Sequence, residues 1–192
     1  MKGIRTLNFY LSTWNLTMEG ARLVSALIQK HQPAEILDLK ARKGYFSILA
    51  ASYGAHVDVL DDTDNPEFPD YLKDHPNITY SNARVEEFKF KKKYDLIIMK
   101  HIAMFHSKQF IINELMQDIN DYLKRGGMTF ITYHYPDSYL MKTTPELHQY
   151  ELDDFKGLKG KFLVKDFGQY HNHVPGTKTD QFHVGYVVLQ KQ

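Results

Sequence analysis

Two short stretches hold the residues best placed to do chemistry. Ile36-Leu37-Asp38-Leu39 runs into Lys40-Ala41-Arg42-Lys43-Gly44-Tyr45-Phe46-Ser47, and Val57-Asp58-Val59-Leu60 ends on Asp61-Asp62. A strand, a tight turn, a helix and a second strand closed by an acid form the plan of a nucleotide-cofactor site. Lys40, Arg42 and Lys43 crowd the turn, and Gly44 stands where the helix opens. A helix N-terminus attracts anions through its unsatisfied N–H groups. The chemistry on offer at this corner is therefore the capture of an anionic or nucleotide-like group.

Histidine offers a second chemistry. The chain has ten, among them His101, His106 and His134 at predicted strand ends and His171, His173 and His183 around the last turn. Neutral imidazole suits zinc, nickel or copper. No pair stands four apart beside a carboxylate, and His171 and His173 share a face only where the backbone is extended. We expect no metal. There is no cysteine. That excludes disulfides, thiolate zinc sites, iron–sulfur clusters and a cysteine nucleophile, and it fits a reducing compartment. Lys89-Phe90-Lys91-Lys92-Lys93 has the look of a nucleic-acid patch. No RNA- or DNA-binding motif accompanies it, so it reads as a solvated loop before a strand.

The elements that must position these groups follow from the hydrophobic pattern. Leu23, Leu27 and Ile28 line a helix near 18–31, which Pro33 stops. Residues 35–39 read as a buried strand. Phe46, Leu49, Ala50 and Tyr53 recur at helical spacing, with Gly54 at the C-cap. Strands follow at 57–60, 78–81 and 94–99. Ser107 stands as an N-cap before Ile111, Leu115, Ile119 and Leu123, a helix that Gly126-Gly127 is expected to end. A fifth strand covers 128–132, and two more cover about 161–168 and 182–190. No helix fits between the last two, so they form an antiparallel pair. Repeated β-α units with a terminal hairpin predict one mostly parallel seven-stranded sheet, helices on both faces and an antiparallel edge.

The stretch from Ile36 to Ser47, with Asp61, resembles motif I of the class I S-adenosylmethionine-dependent methyltransferases. Tyr94-Asp95-Leu96-Ile97-Ile98 and Leu123-Lys124-Arg125-Gly126-Gly127-Met128-Thr129-Phe130 continue the likeness over roughly residues 18–192. Within that superfamily the chain is most similar to the small tellurite-resistance-type methyltransferases. The resemblance implies an α/β Rossmann-like methyltransferase sandwich and S-adenosylmethionine as cofactor. It would place the cofactor against Asp38, Lys40, Arg42, Gly44, Asp61, Asn82, Ala83 and Lys100, with the ribose on Asp61 and the adenine near Asn82. It makes His101, His106 and His134 the candidates for a substrate pocket; the catalytic residues stay unassigned. Lys40 and Arg42 stand where the family pattern has its first two glycines, and only Gly44 keeps the third. Glycine serves there because the backbone turns sharply and the ligand approaches without a Cβ in its way.

Three readings of those cations are open. They hold the carboxylate of the cofactor's methionine moiety, or they pair with Asp38, Asp61 or Asp62 and plug an abandoned pocket. Alternatively they bind another anion. Function accordingly reads as methyl transfer to a small acceptor, the alternative being an inactive methyltransferase-fold binding module. Tyr133, Tyr135, Tyr139 and Tyr150 are candidates for a lid. Phe9, Tyr10 and Trp14 are candidates to cap the same mouth or to meet a partner in a homodimer, with residues 1–17 as an N-terminal extension to one domain spanning 1–192. Lys plus Arg is 24 and Asp plus Glu is 23, a net charge of +1, which excludes a polybasic coat. No signal peptide and no apolar run of about 18 residues appears, so a cytoplasmic protein is expected, with no membrane and no nucleic acid among its partners.

Overall fold

The structure is a computed structural model that describes residues 15–61, 68–100, 102–158, 160–173, 178 and 181–192. Helix α1 (Asn15–His31) buries Ala21, Val24 and Ile28, so its inner stripe lies slightly to one side of the predicted one. Strand β1 (Glu35–Leu39) follows Pro33, and helix α2 (Tyr45–Ser52) is buried from Tyr45 through Ala51. Helix α2 ends as its sequence predicts. Gly54 takes φ +90°, its N–H reaches Ala51 O, and Ala55 N–H reaches Ala50 O, the paired bonds of a Schellman cap. Strand β2 (His56–Asp61), the one-turn helix α3 (Asp70–Lys73), strand β3 (Ile78–Asn82) and strand β4 (Tyr94–Met99) complete the first half.

A 3-10 turn (Ala103–Phe105) leads to a π-type stretch (Gln109–Leu115) that continues as α4 (Met116–Tyr122). Ser107 Oγ accepts the Phe110 N–H at 3.2 Å, the expected cap. Ile111, Leu115, Met116 and Ile119 are buried. Strand β5 (Leu123–His134) starts earlier than predicted: Gly126 and Gly127 lie inside it, and the helix ends at Tyr122. Two short helices, α5 (Tyr139–Thr143) and α6 (Leu152–Lys156), precede the antiparallel pair β6 (Phe162–His173) and β7 (Gln181–Lys191).

The seven strands form one sheet in the order β3-β2-β1-β4-β5-β7-β6. The β1/β2 and β2/β3 pairs are parallel, whereas β5/β7 and β6/β7 are antiparallel. This is the seven-stranded sheet with an antiparallel edge that the pattern of elements predicts. Two compact units are distinguishable, one reaching to Leu96 and one running Ile97–Gln192. In the first, Ile36, Leu37, Leu39, Val57, Val59 and Leu60 are all but inaccessible. In the second, Phe130, Ile131, Val187 and Leu189 serve that purpose. Among the described residues no helix is long and apolar enough to cross a membrane.

Candidate functional site

The turn after β1 has an unusual backbone. Lys40 takes φ +58°, Arg42 +54° and Gly44 +70°. Three alternate residues thus occupy the left-handed region, which costs an L-residue with a side chain about 1–2 kcal/mol. The two lysine and arginine positions keep the backbone that glycine would adopt. The turn is held from outside: the Lys40 and Ala41 N–H groups both point at Leu60 O, at 2.7 and 3.4 Å. From Gly44 the chain enters α2 directly, with Ile48 N–H bonded to Gly44 O at 2.9 Å.

Each strand end beside that turn carries a polar group. Asp38 is 1% exposed and accepts a hydrogen bond of 2.6 Å from Ser47 Oγ, itself inaccessible on α2. That bond ties the first strand to the helix behind the turn. Asp61 closes β2 with a buried carboxylate and lies in register with Asn82, the last residue of β3. Its carbonyl accepts the Ala83 N–H at 3.0 Å. Asn82 is exposed, Ala83 and Lys40 are half-buried, and Arg42 is exposed. The carboxyl ends of β1, β2 and β3 therefore bring together Lys40, Asp61, Asn82 and Ala83. Asp62 and Asp64 lie outside the described residues.

Gly44 keeps its identity for a packing reason. A Cβ there would lie 2.6 Å from Phe68 Cε2 and 2.9 Å from Leu72 Cδ1. Phe68 is buried and stacks on Tyr80 at 4.9 Å, and Lys73 Nζ lies 4.9 Å above the Tyr80 ring. Burial, then the nearby Asp61 charge, pushes the Tyr80 phenol above its ordinary range. Neither Ser47 nor Phe68 carried a signal at the level of sequence.

The unit Ile97–Gln192 holds the other candidates. Lys100 follows β4 and is half-buried, while His101 lies outside the described residues. His134, the last residue of β5, is 3% exposed, and its Nδ1 lies 3.0 Å from Ser138 Oγ. Burial, with the Lys100 and His183 charges, pushes its pKa down to about 4, so the ring is neutral at ordinary pH. His106 follows the 3-10 turn, with its ring 5.0 Å from Phe110 and its carbonyl accepting the Tyr150 hydroxyl at 2.7 Å. The tyrosines do not form a lid as a group. Tyr133 and Tyr150 are buried and both pack on Phe155, at 5.5 and 5.9 Å. Phe9, Tyr10 and Trp14 lie outside the described residues.

In the run 89–93, Lys89, Lys91 and Lys93 are exposed, as a solvated loop requires, whereas Phe90 and Lys92 turn inward. Phe90 is buried edge-on to Phe88. Lys92 joins Glu35 and Asp58, the latter also accepting the Tyr94 hydroxyl at 2.8 Å. Burial works against the Lys92 charge, and those two carboxylates outweigh it and hold the ammonium above its usual range. His171 and His183 stack at 4.0 Å, and His183 stacks on Tyr135 at 4.2 Å. Among the described residues no group of three or more His, Asp or Glu is arranged to hold a metal.

The family model of the tellurite resistance protein TehB matches residues 3–153. The chain belongs to the TehB family. A comparison with curated proteins finds no significant match. Solved structures share the fold at low identity. N-methyltransferase NodS from Bradyrhizobium japonicum, in complex with S-adenosyl-L-homocysteine, superposes with a TM-score of 0.72 at 12% identity, covering 98% of each chain. TehB from Haemophilus influenzae gives 0.72 at 16%, over 88% of this chain and 61% of that one. Magnesium protoporphyrin IX methyltransferase from Synechocystis, with bound S-adenosylhomocysteine, gives 0.71 at 13%, over 91% and 83%. This TehB-family chain thus has a methyltransferase-like fold, with two long cations in the turn after β1.

Proposed function

We propose that this TehB-family chain is an S-adenosylmethionine-dependent methyltransferase acting on a small acceptor. The observation that carries the reading is the left-handed backbone at Lys40, Arg42 and Gly44. Strained positions persist where the surrounding structure imposes them, and such positions gather at functional sites. The residues present fit the cofactor. Lys40 and Arg42 supply positive charge for its carboxylate, Asp61 an acceptor for the ribose hydroxyls, and Asn82 with Ala83 a polar edge for the adenine. The exposure of Arg42 favours a role toward solvent and ligand over that of a plug. Lys100 is assigned to the cofactor as well, and His101, His106 and His134 to the acceptor.

S-adenosylmethionine, when bound, supplies a sulfonium methyl, to whose carbon an acceptor lone pair bonds as the carbon–sulfur bond breaks with its electrons going to sulfur. The chain's own residues bind, orient and exclude water, which accounts for most of the catalysis such a transfer needs. No catalytic triad is required. Calorimetric titration with S-adenosylhomocysteine tests the reading. Micromolar binding, about −8 kcal/mol, weakened at least tenfold in Asp61→Ala, is expected. No heat from the folded wild type at millimolar ligand would refute it and favour the binding-module alternative.

A further inference from the structure

Ser138 was singled out by no motif, yet its hydroxyl has a defined and unusual use. Residues Tyr135, Pro136, Asp137 and Ser138 form a tight turn closed by the Ser138 N–H on Tyr135 O at 2.9 Å. Proline in the second place presets that turn. It swings Ser138 back onto the end of β5, to the N-cap position of α5. A serine there usually spends its hydroxyl on the helix's free N–H groups. Ser138 makes no such cap bond. Its Oγ instead accepts the His183 N–H at 3.3 Å and meets His134 Nδ1 at 3.0 Å.

Ser138 is inaccessible and His134 nearly so. With one lone pair engaged by the His183 N–H, the hydroxyl still has its own proton to place. Among its described partners, His134 Nδ1 is the one able to accept it. Were Nδ1 the donor, Oγ would accept twice and its proton would be buried without an acceptor, an arrangement proteins avoid.

We propose that Ser138 is a positioning residue that fixes His134 as the neutral, Nε2-protonated tautomer, so that this ring takes no proton from the methyl acceptor. The surroundings agree with the geometry. Among the described residues, the charges of Lys100 and His183 act on the ring, the Phe182 ring stands edge-on at 6.0 Å, and burial and both charges oppose a second proton. His134 is accordingly not the group that deprotonates the acceptor. The functional meaning rests on the methyltransferase reading above; the tautomer does not.

The experiment uses the whole chain labelled with ¹⁵N at histidine. Long-range ¹H–¹⁵N correlation reports the tautomer of each ring, and the His134 signals are those missing from His134→Gln. We expect wild-type His134 to carry its proton on Nε2 at neutral pH. Ser138→Ala is expected to lose that single tautomer and Ser138→Thr to retain it. Wild-type His134 protonated on Nδ1 or averaged between nitrogens would overturn the inference, as would Ser138→Ala with an unchanged tautomer. If Ser138→Ala does not fold, the wild-type and Ser138→Thr spectra decide. S-adenosylhomocysteine titrated into the same samples separates the two readings: no binding with the Nε2 tautomer intact refutes the enzyme assignment alone, and binding with an Nδ1 proton refutes this one alone.

Discussion

Glycine and non-glycine exchanges in the turn after β1 are predicted to have opposite signs. Gly44→Ala places a Cβ 2.6 Å from Phe68 and 2.9 Å from Leu72, at a φ of +70°. The left-handed backbone costs about 1–2 kcal/mol and the overpacking about 1–3 kcal/mol. The sum, about 2–5 kcal/mol, corresponds to a fall of about 4–20 °C in Tm for a chain of this size. Lys40→Gly and Arg42→Gly each release about 1–2 kcal/mol of the same strain. Each also adds about 0.4–1 kcal/mol of unfolded-state entropy. The double variant is therefore expected at wild-type stability or up to about 3 kcal/mol above it. Differential scanning calorimetry of the wild type, Gly44→Ala and Lys40→Gly/Arg42→Gly reads both signs in one series. A Gly44→Ala Tm within about 2 °C of wild type would refute the packing account of that glycine. A double variant that loses more than about 1 kcal/mol would show that the Lys40 and Arg42 contacts, not the surrounding fold, hold the turn.

Other consequences are equally direct. Ser47→Ala removes the buried hydroxyl that donates to Asp38 at 2.6 Å and is expected to cost about 1.5–3 kcal/mol in denaturant unfolding; a change under about 0.5 kcal/mol would contradict that role. The folded-state pKa of His134 is about 4, below the unfolded value of 6.5, so the unfolded chain binds the proton first. Its contribution is complete above pH 6.5 and is lost as pH falls toward 4, by about 3 kcal/mol in all. Urea unfolding across that range is expected to show a shallower pH slope in His134→Gln, and an equal slope would count against the burial argument. Lys92→Met is expected to cost about 1 kcal/mol, because the Lys92 head group is partly exposed and its ion pairs are screened. Adding salt is expected to narrow the gap, and a gap that widens with salt would contradict an ionic role.

The sequence revealed the sheet well because burial dictates period. Residues 35–39, 57–60 and 94–99 put apolar side chains on both faces, with only Glu35, Asp38, Asp58 and Asp95 interrupting them, as interior strands do, and Gly54 announced the end of α2. The start of β5 was harder to read. A glycine pair usually punctuates a helix, but Gly126 takes φ +75° inside a strand and gives its carbonyl to Gln190 Nε2. The π-type turn at 109–115 was equally hidden, since Ile111 and Leu115 fit an ordinary helix as well. For the candidate site, residue types could be read and conformations could not. Lys40 and Arg42 read as cations in place of glycines, whereas their backbone takes the left-handed region that glycine favours. Ser138 left no trace in the pattern, because its value comes from a turn that brings it back onto His134 and from the distant His183 backbone.

The central claim is that the altered turn still admits the cofactor. Its most direct test is an amide ¹H–¹⁵N map of the wild-type chain titrated with S-adenosylhomocysteine. The account predicts saturable shifts concentrated at Lys40–Gly44, Asp61 and Asn82–Ala83. A spectrum that stays unchanged at millimolar ligand, or shifts that cluster away from those strand ends, would contradict it.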